Sequence, residues 1–181
     1  DTIIELKTTD ESGWIHFIAD LPISAKYYLK ELYAPNGYVR EAETQEFTFE
    51  YQGDNTTQAV YEFTFEDVMT SVVLSKADLT DGKELPEASL QILDFNGTVV
   101  EEWISTEDPH MIRGLLVGSK YTLVETKPAD GYTTAESIEF TVEDTEKIQK
   151  HQMLDDLTKV EISKTDITDS KEEPHLIEKF P

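Results

Sequence analysis

One twelve-residue phrase occurs twice in this chain, and it constrains the fold more than any other feature. Residues 27–38 read YYLKELYAPNGY and residues 121–132 read YTLVETKPADGY, sharing Y-x-L-x-E-x-x-x-x-x-G-Y. The copies begin at Tyr27 and Tyr121, 94 residues apart, which is the length of one small β-domain. Each copy alternates apolar and polar residues as a strand does. Each also sets a glutamate, Glu31 or Glu125, where the alternation calls for an inward apolar side chain. A carboxylate against a core costs several kcal/mol if it stays charged and unpaired, so each glutamate needs a partner.

The repeat extends beyond the phrase. Residues 63–78 read FTFEDVMTSVVLSKAD and residues 151–166 read HQMLDDLTKVEISKTD. Aligning Thr70 with Thr158 sets Asp67 opposite Asp155 and Lys76 opposite Lys164, both 88 residues apart. Upstream, TDESGWIHFIADLP aligns loosely with STEDPHMIRGLL, which places His16 opposite His110. The expected organisation is a partial first unit over 1–69, a complete unit over 70–158 and the start of a third over 159–181. Asp1-Thr2-Ile3-Ile4 matches Gly97-Thr98-Val99-Val100, so the first copy is read without its opening strands and its lysine strand. Glu31 and Asp67 are then expected to have no lysine within their own unit, and Lys164 to lack its expected acidic partners, as in a fragment cut from a longer array.

Between turn signals such as Asp81-Gly82, Asn96-Gly97 and Asp130-Gly131, short runs rich in Val, Ile, Thr, Tyr and Phe predict strands and almost no helix. The first copy offers Ile3–Leu6, Trp14–Ile18, Tyr27–Leu32, Thr44–Tyr51 and Ala59–Glu66. The second offers Ser71–Lys76, Ser89–Leu93, Thr98–Trp103, Tyr121–Thr126, Ser137–Val142 and Ile148–Leu154. Regular short strands imply an all-β fold of tandem sandwiches with Greek-key connections.

The net charge of −23, from 38 acidic and 15 basic residues, argues against nucleic acid and anionic membrane partners and favours solubility. No cysteine is present, which excludes disulfides and thiolate metal sites. No apolar run reaches membrane-spanning length, so no membrane insertion is expected of this segment. His16, His110, His151 and His175 show no metal-ligand spacing, and Asp78, Asp81 and Glu84 fail the calcium-loop pattern. The expectation is therefore no metal and no cofactor.

Alternation locates the chemistry. Val72 and Leu74 lead to Lys76 on one strand face, and Val160 and Ile162 lead to Lys164. Tyr121 and Leu123 lead to Glu125, as Tyr27 and Leu29 lead to Glu31. Tyr61, Phe63 and Phe65 lead to Asp67, and Met153 leads to Asp155 in the same phase, with Asp156 out of phase. So a lysine, an aspartate and a glutamate each end an inward row. This pattern suits a buried ion network, which stabilises little relative to apolar isosteres. It equally suits condensation of Lys76 with Asp155. Burial disfavours the charged forms of amine and acid, and a neighbouring carboxyl group can move the protons. Glu125 and Asp155 could also form a glycosidase acid pair, but that chemistry needs an open cleft.

The segments VVLSKAD (72–78), YTLVETKPADGY (121–132), IEFTVED (138–144) and DDLTKVEISKTD (155–166) resemble the Cna B-type or SpaA-type domains of Gram-positive surface proteins and pilins. The resemblance covers nearly the whole chain. It implies a prealbumin-like, Ig-like sandwich and an intramolecular isopeptide bond, with Lys76 as nucleophile, Asp155 as electrophile and Glu125 as proton shuttle. Asp156 is the second choice of electrophile. Glu31 is the equivalent of Glu125 in the first unit. The family's commoner acceptor is asparagine; with Asp155, water replaces ammonia as the leaving group. The resemblance further implies a non-enzymatic stalk or pilin-like module at the bacterial cell surface or wall, with neighbouring repeat domains as partners. An adhesin module that binds a host matrix protein or glycan, and an accessory domain of a surface hydrolase, are the alternatives.

Overall fold

A computed structural model describes residues 2–40, 43–51, 53 and 61–160. The described residues form eleven strands and no helix. In the first copy these are β1 (Lys26–Leu29), β2 (Tyr38–Val39), β3 (Gln45–Thr48) and β4 (Val68–Met69). The second copy holds β5 (Ser71–Asp78), β6 (Ser89–Leu93), β7 (Val99–Ile104), β8 (His110–Arg113), β9 (Lys120–Lys127), β10 (Ile138–Thr141) and β11 (Gln149–Asp155).

Strands β5 to β11 form a sandwich. One sheet has the order β10-β9-β6-β7 and is antiparallel throughout. The other has the order β11-β5-β8, in which β11 runs parallel to β5 and β8 antiparallel to it. The core lies between them. Val72 and Leu74 of β5, Ile112 of β8 and Met153 of β11 pack against Leu90, Ile92, Leu123 and Phe140 of the facing sheet. β5 buries every second residue, at Val72, Leu74 and Lys76, and β9 does the same at Tyr121, Leu123 and Glu125. The sheet pleat thus carries each apolar row into a charged residue.

The first copy reproduces part of this. β1 pairs with β3, setting Tyr27 opposite Phe47, as β9 pairs with β10 and sets Tyr121 opposite Phe140. β2 and β4 set Tyr38 opposite Met69, and an isolated bridge sets Tyr132 opposite Leu157. Thr70 N donates to Gly37 O at 3.0 Å, and Thr158 N donates to Gly131 O at 2.8 Å. Tyr27/Tyr121, Tyr38/Tyr132 and Gly37/Gly131 keep the 94-residue offset, Met69/Leu157 and Thr70/Thr158 keep the 88-residue offset, and Phe47/Phe140 differs from the first by one residue, so the repeated words make the same contacts twice.

Three expected strands differ. Ile3–Leu6 and Trp14–Ile18 have no ladder. Of Ala59–Glu66, residues 59 and 60 lie outside the described residues and 61–66 form no ladder. The reason is the neighbour each would need. In the second copy β7 pairs with β6, while β8 and β11 pair with β5. The described residues of the first copy hold no counterpart of β5 or β6. Side chains take over some of this work. Glu5 Oε2 accepts hydrogen bonds from Ile18 N and Ala19 N at 3.0 and 2.9 Å, and Tyr61 and Phe63 pack on Phe49 and Phe47. β2, β4 and β8 are further strands, outside the expected set. Residues 161–181, including Lys164, lie outside the described residues.

Gly37 and Gly131 adopt φ of +84° and +90°, the left-handed region that favours glycine. A Cβ on Gly131 would meet open space, whereas one on Gly37 would lie 2.6 Å from Gly114 O. Gly131→Ala should therefore cost about 1–2 kcal/mol from backbone conformation alone. Gly37→Ala should cost more, because backbone must also shift. Amide exchange at Thr158 and Thr70, which donate to the two glycines, reads the difference. Equal acceleration at both would contradict it.

Candidate functional site

The parallel pairing of β5 and β11 brings their C-terminal ends to the same edge of the sandwich, with Met153 opposite Lys76 and Asp155 opposite Asp78. Lys76 and Asp155 both point inward, and β9 presents Glu125 from the facing sheet. All three are buried, at 2 %, 1 % and 5 % exposure. Lys76 Nζ lies 2.8 Å from Glu125 Oε1 and also contacts Asp155 Oδ1.

The main chain around the cluster is fixed. Lys76 N donates to Glu84 Oε2 at 3.0 Å, Leu85 N to Lys76 O at 2.7 Å, and Leu79 N to Asp155 O at 2.9 Å. Glu125 Oε2 accepts from Ala135 N at 2.7 Å, which leaves Oε1 for the lysine. Asp155 Oδ2 is buried with no donor. Burial pushes the Asp155 carboxyl above its ordinary range, Lys76 opposes this, and the adjoining Glu125 carboxyl adds to it. A single proton held between the two carboxyls would supply the missing hydrogen bond. The cluster thus holds a primary amine against an acid whose proton burial retains to higher pH than usual, beside a second carboxyl group.

Other candidate residues are placed differently. Asp156 turns away from the cluster, and its Oδ2 pairs with Lys159 Nζ at 2.9 Å. Asp67 is half-buried, with Oδ1 lacking a hydrogen-bond partner, and Glu31 is half-buried beyond the end of β1. Asp78, Asp81 and Glu84 are occupied as acceptors within the β5 turn, and no group of three or more potential metal ligands occurs among the described residues. The Glu125 and Asp155 side chains are 0 % exposed, so no sugar can reach them as a glycosidase pair. Two features lay beyond the pattern reading. One is the Ala135 amide that orients Glu125. The other is Tyr132, whose Oη donates to Asp78 Oδ2 at 2.7 Å. The Gly-Tyr that closes the repeated phrase is the signal that could have found Tyr132.

The family model described as SpaA, prealbumin-like fold domain, matches residues 1–62 and 70–156. No curated protein matches the chain. Among solved structures, the chain is similar to the Bacillus anthracis TIE protein, at 28% identity and a TM-score of 0.52, over 82% of this chain and 28% of that one. It is also similar to the major pilin subunit of Bacillus cereus, at 24% identity and a TM-score of 0.41, over 48% of this chain and 28% of that one. A third is the shaft pilin SpaA of Lactobacillus rhamnosus GG, at 17% identity and a TM-score of 0.44, over 86% of this chain and 70% of that one. The chain therefore spans little more than a quarter of either Bacillus protein.

The raised Asp155 carboxyl makes a pH prediction for a chain that cannot condense. Lys76→Met removes the cation that opposes the rise, so the folded state should hold the Asp155 proton more tightly still. Stability from that proton is then full below the ordinary carboxyl range, near pH 4, and is lost as pH rises toward the folded-state value. Urea titrations of Lys76→Met and Lys76→Met/Asp155→Asn isolate the effect from other carboxylates. The difference between the two should grow in favour of the asparagine as pH rises. A pH-independent difference would contradict the placement of Asp155.

Proposed function

The chain belongs to the SpaA prealbumin-like fold domain family, and on that basis we propose that it is a load-bearing module of a Gram-positive surface stalk or pilus, locked by a Lys76–Asp155 isopeptide bond. The observation that carries this reading is the buried contact of Lys76 with both Asp155 and Glu125. In the chemistry we infer, Glu125 takes a proton from the Lys76 ammonium. The neutral Nζ attacks Cγ of protonated Asp155. Glu125 then passes that proton to the departing hydroxyl and takes the second proton from Nζ, so that one amide forms, one water leaves and Glu125 ends protonated. Held reactants need no diffusional encounter, and this is the main source of rate in such a site. The reaction happens once per chain and is self-modification rather than turnover.

The division of the chain into units at 1–69, 70–158 and 159–181 belongs to the same proposal. So do the extracellular location and partnership with neighbouring repeats. The position of the bond suits load. β5 and β11 are the first and last strands of the sandwich, so a pull entering near Thr70 and leaving near Thr158 would pass through Lys76 and Asp155. It would bypass the strands between them. The bond closes a 79-residue separation, and by analogy with disulfide loop entropy it should stabilise by about 4–5 kcal/mol. It needs no cysteine and resists reductants.

Single-molecule pulling tests the reading. The wild-type second unit should stay locked at forces that extend Glu125→Ala, and the variant should gain the contour of the loop, about 260–280 Å. Equal extension of wild type and Glu125→Ala would overturn the stalk mechanism.

A further inference from the structure

We propose that Tyr132 is a positioning residue for this cross-link: with Asp78 it latches the β9–β10 loop across the ends of β5 and β11, holding Glu125 in register and water away while the bond forms. The inference rests on the proposed Lys76–Asp155 bond and assigns part of its assembly to a residue outside the triad.

The β9–β10 loop touches all three elements of the site. At its far end Ala135 N donates to Glu125 Oε2. In its middle, Thr133 donates from N and Oγ1 to Asp156 O at 3.0 and 3.1 Å, and Gly131 O accepts from Thr158 N at 2.8 Å. These bonds tie the loop to the chain leaving β11. Tyr132 makes the tie to β5 through its phenol, which reaches Asp78, two residues beyond Lys76 and opposite Asp155. The phenol is raised above its ordinary value and the Asp78 carboxyl lowered, each chiefly by this hydrogen bond. A tyrosine that stays protonated is thus donating to a carboxylate that stays ionised.

The repeat makes the loop a built feature. Tyr38 sits opposite Met69 and Tyr132 opposite Leu157, and both tyrosine amides donate three residues back, to Pro35 O at 3.0 Å and Ala129 O at 3.1 Å. One phrase therefore sets the glutamate at one end and its strap at the other. Closing the strap has a chemical consequence. Excluding water strengthens the polar interactions among Lys76, Glu125 and Asp155 and fixes the distance over which protons move.

A short pulse of cell-free synthesis, stopped and followed by intact mass over time, measures how fast the chain loses one water. Tyr132→Phe, which keeps the ring, and Asp78→Ala, which removes the acceptor, should each slow the loss by about tenfold or more, the rate equivalent of one charge-assisted hydrogen bond. Asp78→Asn retains an acceptor oxygen and should react within a few fold of wild type. The Tyr132→Phe/Asp78→Ala pair should be no slower than either alone. In the non-reacting Lys76→Met background, Tyr132→Phe should leave amide protection in β5 and β11 unchanged. Loss of that protection would reduce the contact to fold stability and overturn the positioning role. Wild-type speed in Tyr132→Phe, with wild type losing water, would overturn the latch alone. No water loss in wild type would overturn the cross-link itself.

Discussion

The structure depends on one arrangement: an amine and two carboxyls sealed between two sheets where the first and last strands of the sandwich meet. Isolated, any of these groups would be expelled or neutralised, because a buried unpaired charge costs more than most single contacts return. Together they leave Asp155 Oδ2 without a donor, and Glu125 Oε1 with no hydrogen-bond partner beyond its 2.8 Å ion-pair approach to Lys76 Nζ. A proton shared between the two carboxyls would supply that donor, whereas the proposed condensation would replace the charged pair with a neutral amide.

The sheet order follows from the same constraint. Parallel neighbours need a long crossover, and here the whole of β6 to β10 serves as the connection from β5 to β11. A bond between Lys76 and Asp155 therefore encloses nearly all of the sandwich core. The antiparallel ladders inside that loop are the ones such a bond would shield from a pull on the chain ends.

Strand alternation made much of this legible. Val72-Leu74-Lys76 and Tyr121-Leu123-Glu125 read as inward rows ending in charge, and the structure buries both rows. Phase alone separated Asp155, which points inward, from Asp156, which pairs outward with Lys159. What periodicity could not supply was the neighbour of each strand. Ile3–Leu6 and Trp14–Ile18 have strand-like composition but no ladder, because a strand exists only with a partner. β8 carries no alternating apolar signal, because its four residues bury only Ile112. The Tyr132–Asp78 bond joins residues 54 apart through side chains, a contact that no local pattern encodes. The repeated Gly-Tyr marked its place without revealing its role.

The central claim is a covalent bond between Lys76 and Asp155, and intact mass with peptide mapping tests it most directly. The purified chain should be lighter than its sequence mass by one water, and digestion should yield a branched peptide joining Lys76 to Asp155. Lys76→Ala, Asp155→Ala and Glu125→Ala should each restore the full mass. A wild-type chain at its full sequence mass would contradict the account and leave a buried salt bridge. A deficit that survives Asp155→Ala would contradict the choice of acceptor.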